Sequence, residues 1–212
     1  MQLIGMLDSP YVRRVAISLQ VLGLPFEHQS VSVFRGFKTF QQINPVVKAP
    51  TLICDDGELI MDSGLILDYA EGLAAPGRSL MPLEIKARQR ALHILGLALA
   101  ACEKSVQIVY ERNVRPTEKQ HAPWVERVTG QMNAALRLLD NLVTQQPLVA
   151  HVGALDQAVI TTAVTWQFAH TLLPDLLAAG DYPALHGLSL QAEQLPEFKR
   201  APHSEAVYPQ PI

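Results

Sequence analysis

Two motifs in the first third of the chain carry groups that could hold a small peptide. Ser9 stands directly before Pro10, the arrangement of a helix start whose serine hydroxyl caps the first turn. Pro50 has no N–H to donate to a sheet, so it belongs at the first residue of a strand or at a sheet edge. If the Ala49–Pro50 bond is cis, the backbone amide and carbonyl of Ala49 point outward and can pair with a peptide-like ligand.

A third motif, Asp62 followed by Ser63, stands where another helix is predicted to begin. The start of a helix leaves backbone N–H groups without intrahelical partners, and these groups attract a carboxylate. The three motifs together therefore predict a site for a small peptide. Each of Ser9, Asp62 and Ser63 also has a simpler interpretation as a helix cap, and capping is compatible with ligand binding.

Strand and helix signals alternate along the first 75 residues, in the order β-α-β-α-β-β-α. This order predicts a mixed sheet with helices packed on it. The predicted elements are a strand at 2–6, a helix at 10–22, a strand at 27–33, helical spacing at Phe37, Phe40 and Ile43, strands at 51–54 and 58–61, and a helix at 63–73.

Only helices are predicted beyond residue 83. Their ranges are 84–113, 123–144, 154–173 and 184–194. The third has few charges between Val159 and Leu173, which is typical of the buried central helix of a bundle. We therefore expect an α/β domain at 1–75, a linker at 76–83 and an all-helical domain at 84–212.

Composition indicates which partners, compartment and metals to expect. The chain has 212 residues, 49% of them hydrophobic, and a net charge of −3, so it gives no electrostatic indication of a nucleic-acid or membrane partner. Cys54 and Cys102 form no Cys-x-x-Cys pair, and the N-terminus lacks the basic region of a signal peptide, so we expect a cytoplasmic protein. The seven histidines have no metal-ligand spacing, so no metal is expected.

The three motifs, in their order and spacing, resemble the serine-type, bacterial members of the cytosolic glutathione transferase family. The segments that carry the resemblance are Ser9-Pro10-Tyr11-Val12-Arg13-Arg14, Asn44-Pro45-Val46-Val47-Lys48-Ala49-Pro50-Thr51-Leu52 and Asp62-Ser63-x-x-Ile66-x-x-Tyr69. The resemblance covers essentially the whole chain and implies a thioredoxin-like domain with an appended helical bundle. Val47 and Ala49 depart from the family pattern, which usually has Gly and Val there.

The resemblance also implies roles for individual residues, with glutathione as cosubstrate. Ser9 would stabilise the glutathione thiolate, and Ala49, before the cis Pro50, would pair with the cysteinyl backbone. Asp62 and Ser63 would hold the γ-glutamyl end. Lys48 would meet the glycyl carboxylate, although it is equally consistent with a solvated surface lysine. The residues expected to line the electrophile pocket are Tyr11, Phe34, Tyr110 and Trp166.

The chemistry of such a site follows from the thiol. A free thiol has a pKa of about 8.5, and a helix N-terminus or a nearby cation lowers it toward neutrality. The Ser9 hydroxyl can donate to the sulfur anion, and we expect Arg13 and Arg14, one turn further along, to add positive potential. The reaction would be attack of the thiolate on an electrophile held nearby.

We therefore expect a glutathione transferase of alkyl or aryl groups that acts in detoxification of small hydrophobic electrophiles, and a homodimer, as the family usually is. One alternative is a glutathione-dependent isomerase, dehalogenase or peroxidase on the same fold. The isomerases typically carry a second serine and a tryptophan near the first helix, which residues 8–11 lack. The other alternative is a non-catalytic interaction module, since one fold serves many functions.

Overall fold

A mixed four-stranded sheet organises the N-terminal part of the chain in this computed structural model, which describes residues 1–208. The order across the sheet is β2-β1-β3-β4, with β1 parallel to β2 and antiparallel to β3, and β3 antiparallel to β4. Leu3 lies between His28 and Leu52 in the register. The strands are β1 (Gln2–Ile4), β2 (Glu27–Gln29), β3 (Thr51–Ile53) and β4 (Leu59–Met61).

Three helices complete this fold, and the predicted order β-α-β-α-β-β-α is confirmed. They are α1 (Pro10–Leu22), α2 (Phe37–Ile43) and α3 (Ser63–Leu73). Helix α1 begins at Pro10, and proline is tolerated there because an N–H at the first helical position would have no acceptor within the helix. The helix ends before Gly23, which adopts the left-handed conformation at φ 75°. Local sequence signals therefore set both ends of the helix that carries the Ser9 motif.

The second strand is shorter than the predicted range of 27–33 and ends at Gln29. The hydroxyl of Ser32 accepts hydrogen bonds from the backbone N–H groups of Phe34 and Arg35, both at 3.1 Å. Serine side chains compete in this way with sheet pairing. The chain accordingly turns from Val33 onward, and the alternation of valines does not extend the strand.

Helices alone make up the second unit, Met81–Ala192. Its main helices are α4 (Ile85–Asn113), α5 (Ala122–Gln145), α6 (Gln157–Leu172) and α7 (Pro183–Glu193). Helix α6 is buried from Gln157 to Trp166 without interruption, as its low charge predicts. Its side chains pack with Ile94, Met132 and Leu136 in the core of this unit.

The last helix, α8 (Pro196–Arg200), groups with the N-terminal sheet rather than with the helical unit. The boundary differs from the expected helical domain at 84–212, of which residues 209–212 lie outside the described part. The reason is a set of contacts from α1. Gln20 donates to the Glu197 carbonyl at 2.9 Å, and the Arg13 guanidinium lies 5.5 Å from the centre of the Phe198 ring.

Helix α4 is the one helix within residues 1–208 that is long and apolar enough to cross a membrane, judged by length and composition alone. Core helices of globular proteins pass the same test. Its buried side chains, among them Ile94, Ala98 and Ile108, belong to the core of the helical unit.

Candidate functional site

Ser9 occupies the capping position of α1, as predicted. Its backbone is extended, at φ −73° and ψ 124°, and its Oγ accepts from the N–H of Val12 at 3.5 Å. This is a long hydrogen bond in which the hydroxyl is the acceptor. The hydroxyl hydrogen is not used by the cap, so it can be donated to a ligand at the start of the helix.

The Ala49–Pro50 bond is cis, and both Ala49 and Val12, in the first turn of α1, lie close to Gly5. A Cβ on Gly5 would come within 3.0 Å of the Ala49 Cβ and 2.6 Å of a Val12 methyl. Only a residue without a Cβ leaves room for that approach, and Gly5 also has a φ of 134°. The structure therefore brings the Ala49 motif and the Ser9 motif together at the end of β1.

A buried polar network shapes the loop before Pro50. Asn44 donates to the Thr51 hydroxyl at 2.8 Å, and Thr51 donates to the carbonyl of Lys48 at 2.7 Å. The side-chain oxygen of Asn44 also accepts from the N–H of Val46 at 3.0 Å. No role was predicted for Asn44 or Thr51 from the sequence. The sequence does contain a signal for both, since Asn44 precedes Pro45 and Thr51 follows Pro50. Asparagine and threonine side chains near a turn often form hydrogen bonds to the nearby backbone.

Asp62 caps α3 and also meets Lys48. One carboxylate oxygen accepts from the N–H of Gly64 at 2.9 Å, and the other accepts from the Lys48 ammonium at 3.3 Å. Burial alone would raise the pKa of Asp62, but these two donors outweigh it and hold the pKa below its usual value. The Asp62 backbone has a φ of 78° and a ψ of 125°, a combination that residues with a side chain rarely adopt.

Ser63 is buried at the first position of α3, where Arg14 reaches it from α1. The Nη1 of Arg14 donates to the Ser63 hydroxyl at 3.1 Å, and Arg14 is only 5% exposed. The sequence does not predict this contact, because nothing in the local pattern around either residue indicates a partner 49 positions away.

The expectation that Arg13 adds positive potential beside the thiolate is corrected by its contacts. Arg13 is fully buried, and its two terminal nitrogens donate to the two carboxylate oxygens of Glu193 at 2.7 and 2.8 Å. Its Nε donates to the Ala201 carbonyl at 2.7 Å. A guanidinium so paired has its charge compensated by a carboxylate, which makes Arg13 an anchor for the C-terminal segment.

The four expected pocket residues lie in both units. Tyr11 and the half-exposed Phe34 belong to the N-terminal unit, and the half-exposed Tyr110 lies on α4. Trp166 is only 1% exposed, and its ring lies 5.4 Å from those of His170 and Tyr182. The Trp166 ring is therefore part of the helical core and offers almost no surface to a ligand.

Two further features of the described residues concern ligands. Residues 1–208 contain no group of three or more His, Cys, Asp or Glu side chains that could hold a metal ion. An open cavity of about 550 Å³ lies at the start of β1, lined in part by Met1, Phe26 and Ile53. The Ser9 motif follows the other end of that strand.

Comparisons with known proteins agree with this geometry. Residues 3–78 match the N-terminal domain of glutathione S-transferases. Over 164 residues the chain is 27% identical to the uncharacterized GST-like protein YibF of Escherichia coli K12, covering 77% of this chain and 80% of that protein.

Solved structures extend the likeness along the chain. A glutathione transferase family member from Pseudomonas fluorescens Pf-5, with bound S-(propanoic acid)-glutathione, is 28% identical, with a TM-score of 0.76 over 93% of this chain and 96% of that one. A glutathione S-transferase from Methylobacterium radiotolerans, in complex with glutathione sulfonate, shares the fold at 24% identity, with a TM-score of 0.85 over 100% of this chain and 99% of that one. Fold, site motifs and these likenesses lead to one conclusion: residues 3–78 form an N-terminal domain of the glutathione S-transferase type, and the whole chain has the fold of the glutathione transferases.

Proposed function

We propose that this protein is a glutathione transferase that activates the thiol of glutathione for attack on small hydrophobic electrophiles. The observation that carries the proposal is that Ala49, the residue before the cis Pro50, and Val12, in the first turn of the helix capped by Ser9, both lie against Gly5. The Pseudomonas fluorescens relative, which is 28% identical, carries a glutathione derivative.

The binding roles follow from the chemistry of the tripeptide. The Ala49 backbone lies before β3 and would pair with the cysteinyl residue, with Pro50 fixing the turn. The Asp62 carboxylate would accept the γ-glutamyl ammonium, while the Ser63 hydroxyl and the free N–H groups of α3 would hold the γ-glutamyl carboxylate.

Lys48 would bind the glycyl carboxylate after leaving Asp62. The two side chains are each 50% exposed, and an exposed ion pair of this kind contributes less than about 1 kcal/mol. The free energy lost when Lys48 leaves Asp62 is therefore small, and the new ion pair with the ligand carboxylate offsets it. Glutathione would in turn supply Asp62 with an ammonium group in place of the one that it loses.

The catalytic step would use Ser9 as a donor to sulfur. The thiol loses its proton to solvent, and the thiolate accepts the Ser9 O–H while the N-terminus of α1 adds a favourable dipole. The sulfur then forms a bond to the electrophilic carbon, and the leaving group departs with its bonding electron pair. Tyr11, Phe34 and Tyr110 remain our candidates for contacts with the electrophile.

A homodimer is part of the proposal, supported by exposed apolar side chains on β4 and α3. Leu65, Tyr69 and Leu73 recur every four residues along α3 and are exposed, whereas Ile66 is buried. Leu59 and Met61 are exposed on β4, and the full set would be covered by a second copy. Both cysteines are free and buried, which suits the cytoplasm that we propose as the compartment.

The test is glutathione binding and turnover with a matched pair of variants. Asp62 and Asp156 both cap helices through a carboxylate oxygen, but Asp156 lies in the helical unit and accepts from Val159. Asp62→Asn should weaken glutathione binding by tenfold or more, while Asp156→Asn should leave it unchanged. Wild-type protein that neither binds glutathione nor conjugates it to an aryl halide would instead be a non-catalytic interaction module.

A further inference from the structure

Arg14 and Ser63 form a buried contact behind the proposed glutamyl site. The Arg14 side chain crosses from α1 to the first residue of α3 and donates its Nη1 hydrogen to the Ser63 Oγ at 3.1 Å. Both residues are about 5% exposed or less, so the contact is shielded from water and from screening ions. It lies immediately beside Asp62, which faces solvent.

The direction of this hydrogen bond determines what Ser63 can do. A guanidinium can only donate, so the Ser63 oxygen must be the acceptor. The Ser63 hydroxyl hydrogen cannot point toward Arg14 and must be donated in another direction. A hydrogen bond into the oxygen also polarises the hydroxyl and makes it a stronger donor. Arg14 thus turns a hydroxyl that could donate or accept into one that is set to donate.

We propose that Arg14 is a positioning residue that makes Ser63 selective for a free carboxylate at the glutamyl end of the ligand. This inference rests on the proposed function. It adds to that function a residue behind Ser63 that sets the preference for an ionised glutamyl α-carboxylate, and it predicts discrimination against γ-glutamyl peptides with that carboxylate blocked. The positive charge of Arg14, one side chain behind Ser63, favours an anion at the same point.

The adjacent Arg13 provides an internal control. It is also buried and lies on the same helix, but its guanidinium donates to Glu193 and the Ala201 carbonyl and not to Ser63. A change at Arg13 should therefore affect stability without changing the preference between ligands. A change at Arg14 should affect that preference.

The experiment measures dissociation constants by calorimetry for two ligands, glutathione and glutathione whose glutamyl α-carboxylate is converted to an amide. The proteins are wild type, Arg14→Met, Arg14→Lys, Arg13→Lys, Ser63→Ala and the double variant Arg14→Met with Ser63→Ala. Wild type should prefer glutathione to the amide by tenfold or more. Arg14→Met should lose most of that preference, Arg14→Lys should recover part of it because an ammonium also donates, and Arg13→Lys should keep it.

The double variant distinguishes positioning from general damage. If Arg14 acts through Ser63, the preference for glutathione should fall in the double variant by about the same factor as in Ser63→Ala alone. Independent roles would instead multiply the factors of the two single variants. Equal weakening of both ligands by Arg14→Met, or independent losses in the double variant, would overturn the role of Arg14 and leave the proposed function standing. If Arg14→Met does not fold, Arg14→Lys decides the question. A preference for glutathione over the amide equal to that of wild type would overturn the role of Arg14, and a reduced preference would support it. Absence of glutathione binding by wild type would overturn both.

Discussion

Arg13 and Glu193 are joined by two parallel hydrogen bonds, at 2.7 and 2.8 Å, across 180 residues of sequence. The pair fastens the C-terminal segment to the helix that begins at Ser9. Two-point pairing of a guanidinium with a carboxylate fixes orientation as well as distance. The same helix therefore has the proposed catalytic hydroxyl at its capping position and the anchor of the C-terminal segment one turn later.

Removing the arginine of this pair should destabilise the fold strongly. Arg13→Met leaves the Glu193 carboxylate without its cation and the Ala201 carbonyl without its donor, and we expect a loss of about 3 kcal/mol in the free energy of unfolding. Urea denaturation measures the loss. The matched control is Arg35→Met, which breaks the exposed pair of Arg35 with Glu205 and should cost less than about 1 kcal/mol. Equal losses at the two positions would show that Arg13 is not the anchor.

A second contact of the C-terminal segment should respond to pH. The ring of His28 is buried between the Gly5 carbonyl, 2.6 Å from Nε2, and the Tyr208 N–H, which donates to Nδ1 at 2.9 Å. Nδ1 must be unprotonated to accept, so Nε2 carries the hydrogen. Burial lowers the pKa of His28 below its usual value, which again favours the neutral ring.

The sign of the pH effect follows from that lowered pKa. His28 contributes stability above the unfolded value of about 6.5, and the contribution is lost as pH falls through the lower folded value. We expect urea midpoints to fall on acidification below about pH 6.5. His28→Gln keeps a donor and an acceptor but takes up no proton, so its midpoint should fall less over the same range. His203, whose pKa burial also lowers, accounts for a remaining slope. Identical pH profiles for wild type and His28→Gln would contradict this account of His28.

Gly5 should tolerate no side chain. An added Cβ would lie 2.6 Å from a Val12 methyl and 3.0 Å from the Ala49 Cβ, at a φ of 134° that L residues rarely adopt. We expect Gly5→Ala to lower the free energy of unfolding by about 2 kcal/mol and to weaken glutathione binding by displacing Ala49. Gly130→Ala is the control, because that exposed position in α5 has open space around it and should gain about 0.5–1 kcal/mol. A stable Gly5→Ala variant with normal binding would mean that Ala49 does not need to approach α1 so closely.

The parts of this fold that sequence reasoning predicted are those set by neighbouring residues. Ser9 and Pro10 mark the start of α1 and Gly23 its end, and each acts on the backbone beside it. The contacts between Arg14 and Ser63 and between Arg13 and Glu193 are different, since each partner is chosen by the packing of distant segments. Two adjacent arginines with the same local pattern consequently have different roles.

The periodicity of apolar residues on α3 likewise does not predict which of them are buried. The stripe of Leu65, Tyr69 and Leu73 is visible in the sequence, but so is the overlapping apolar position Ile66. Only the structure distinguishes the buried Ile66 from the exposed stripe. Trp166 was expected to line a ligand pocket, but every residue of α6 from Gln157 to Trp166 is buried. An aromatic side chain on such a helix packs in the core, even though its chemistry would also suit a ligand.

The pKa of the glutathione thiol in the binary complex tests the account most directly. It is read from the ultraviolet absorbance of the thiolate as pH is varied, for wild type and for Ser9→Ala. We expect the pKa in wild type to lie well below the free value of about 8.5 and to return toward it in Ser9→Ala, while the dissociation constant for glutathione changes little. The same lowered pKa in both proteins would contradict the assignment of Ser9 as the group that stabilises the thiolate.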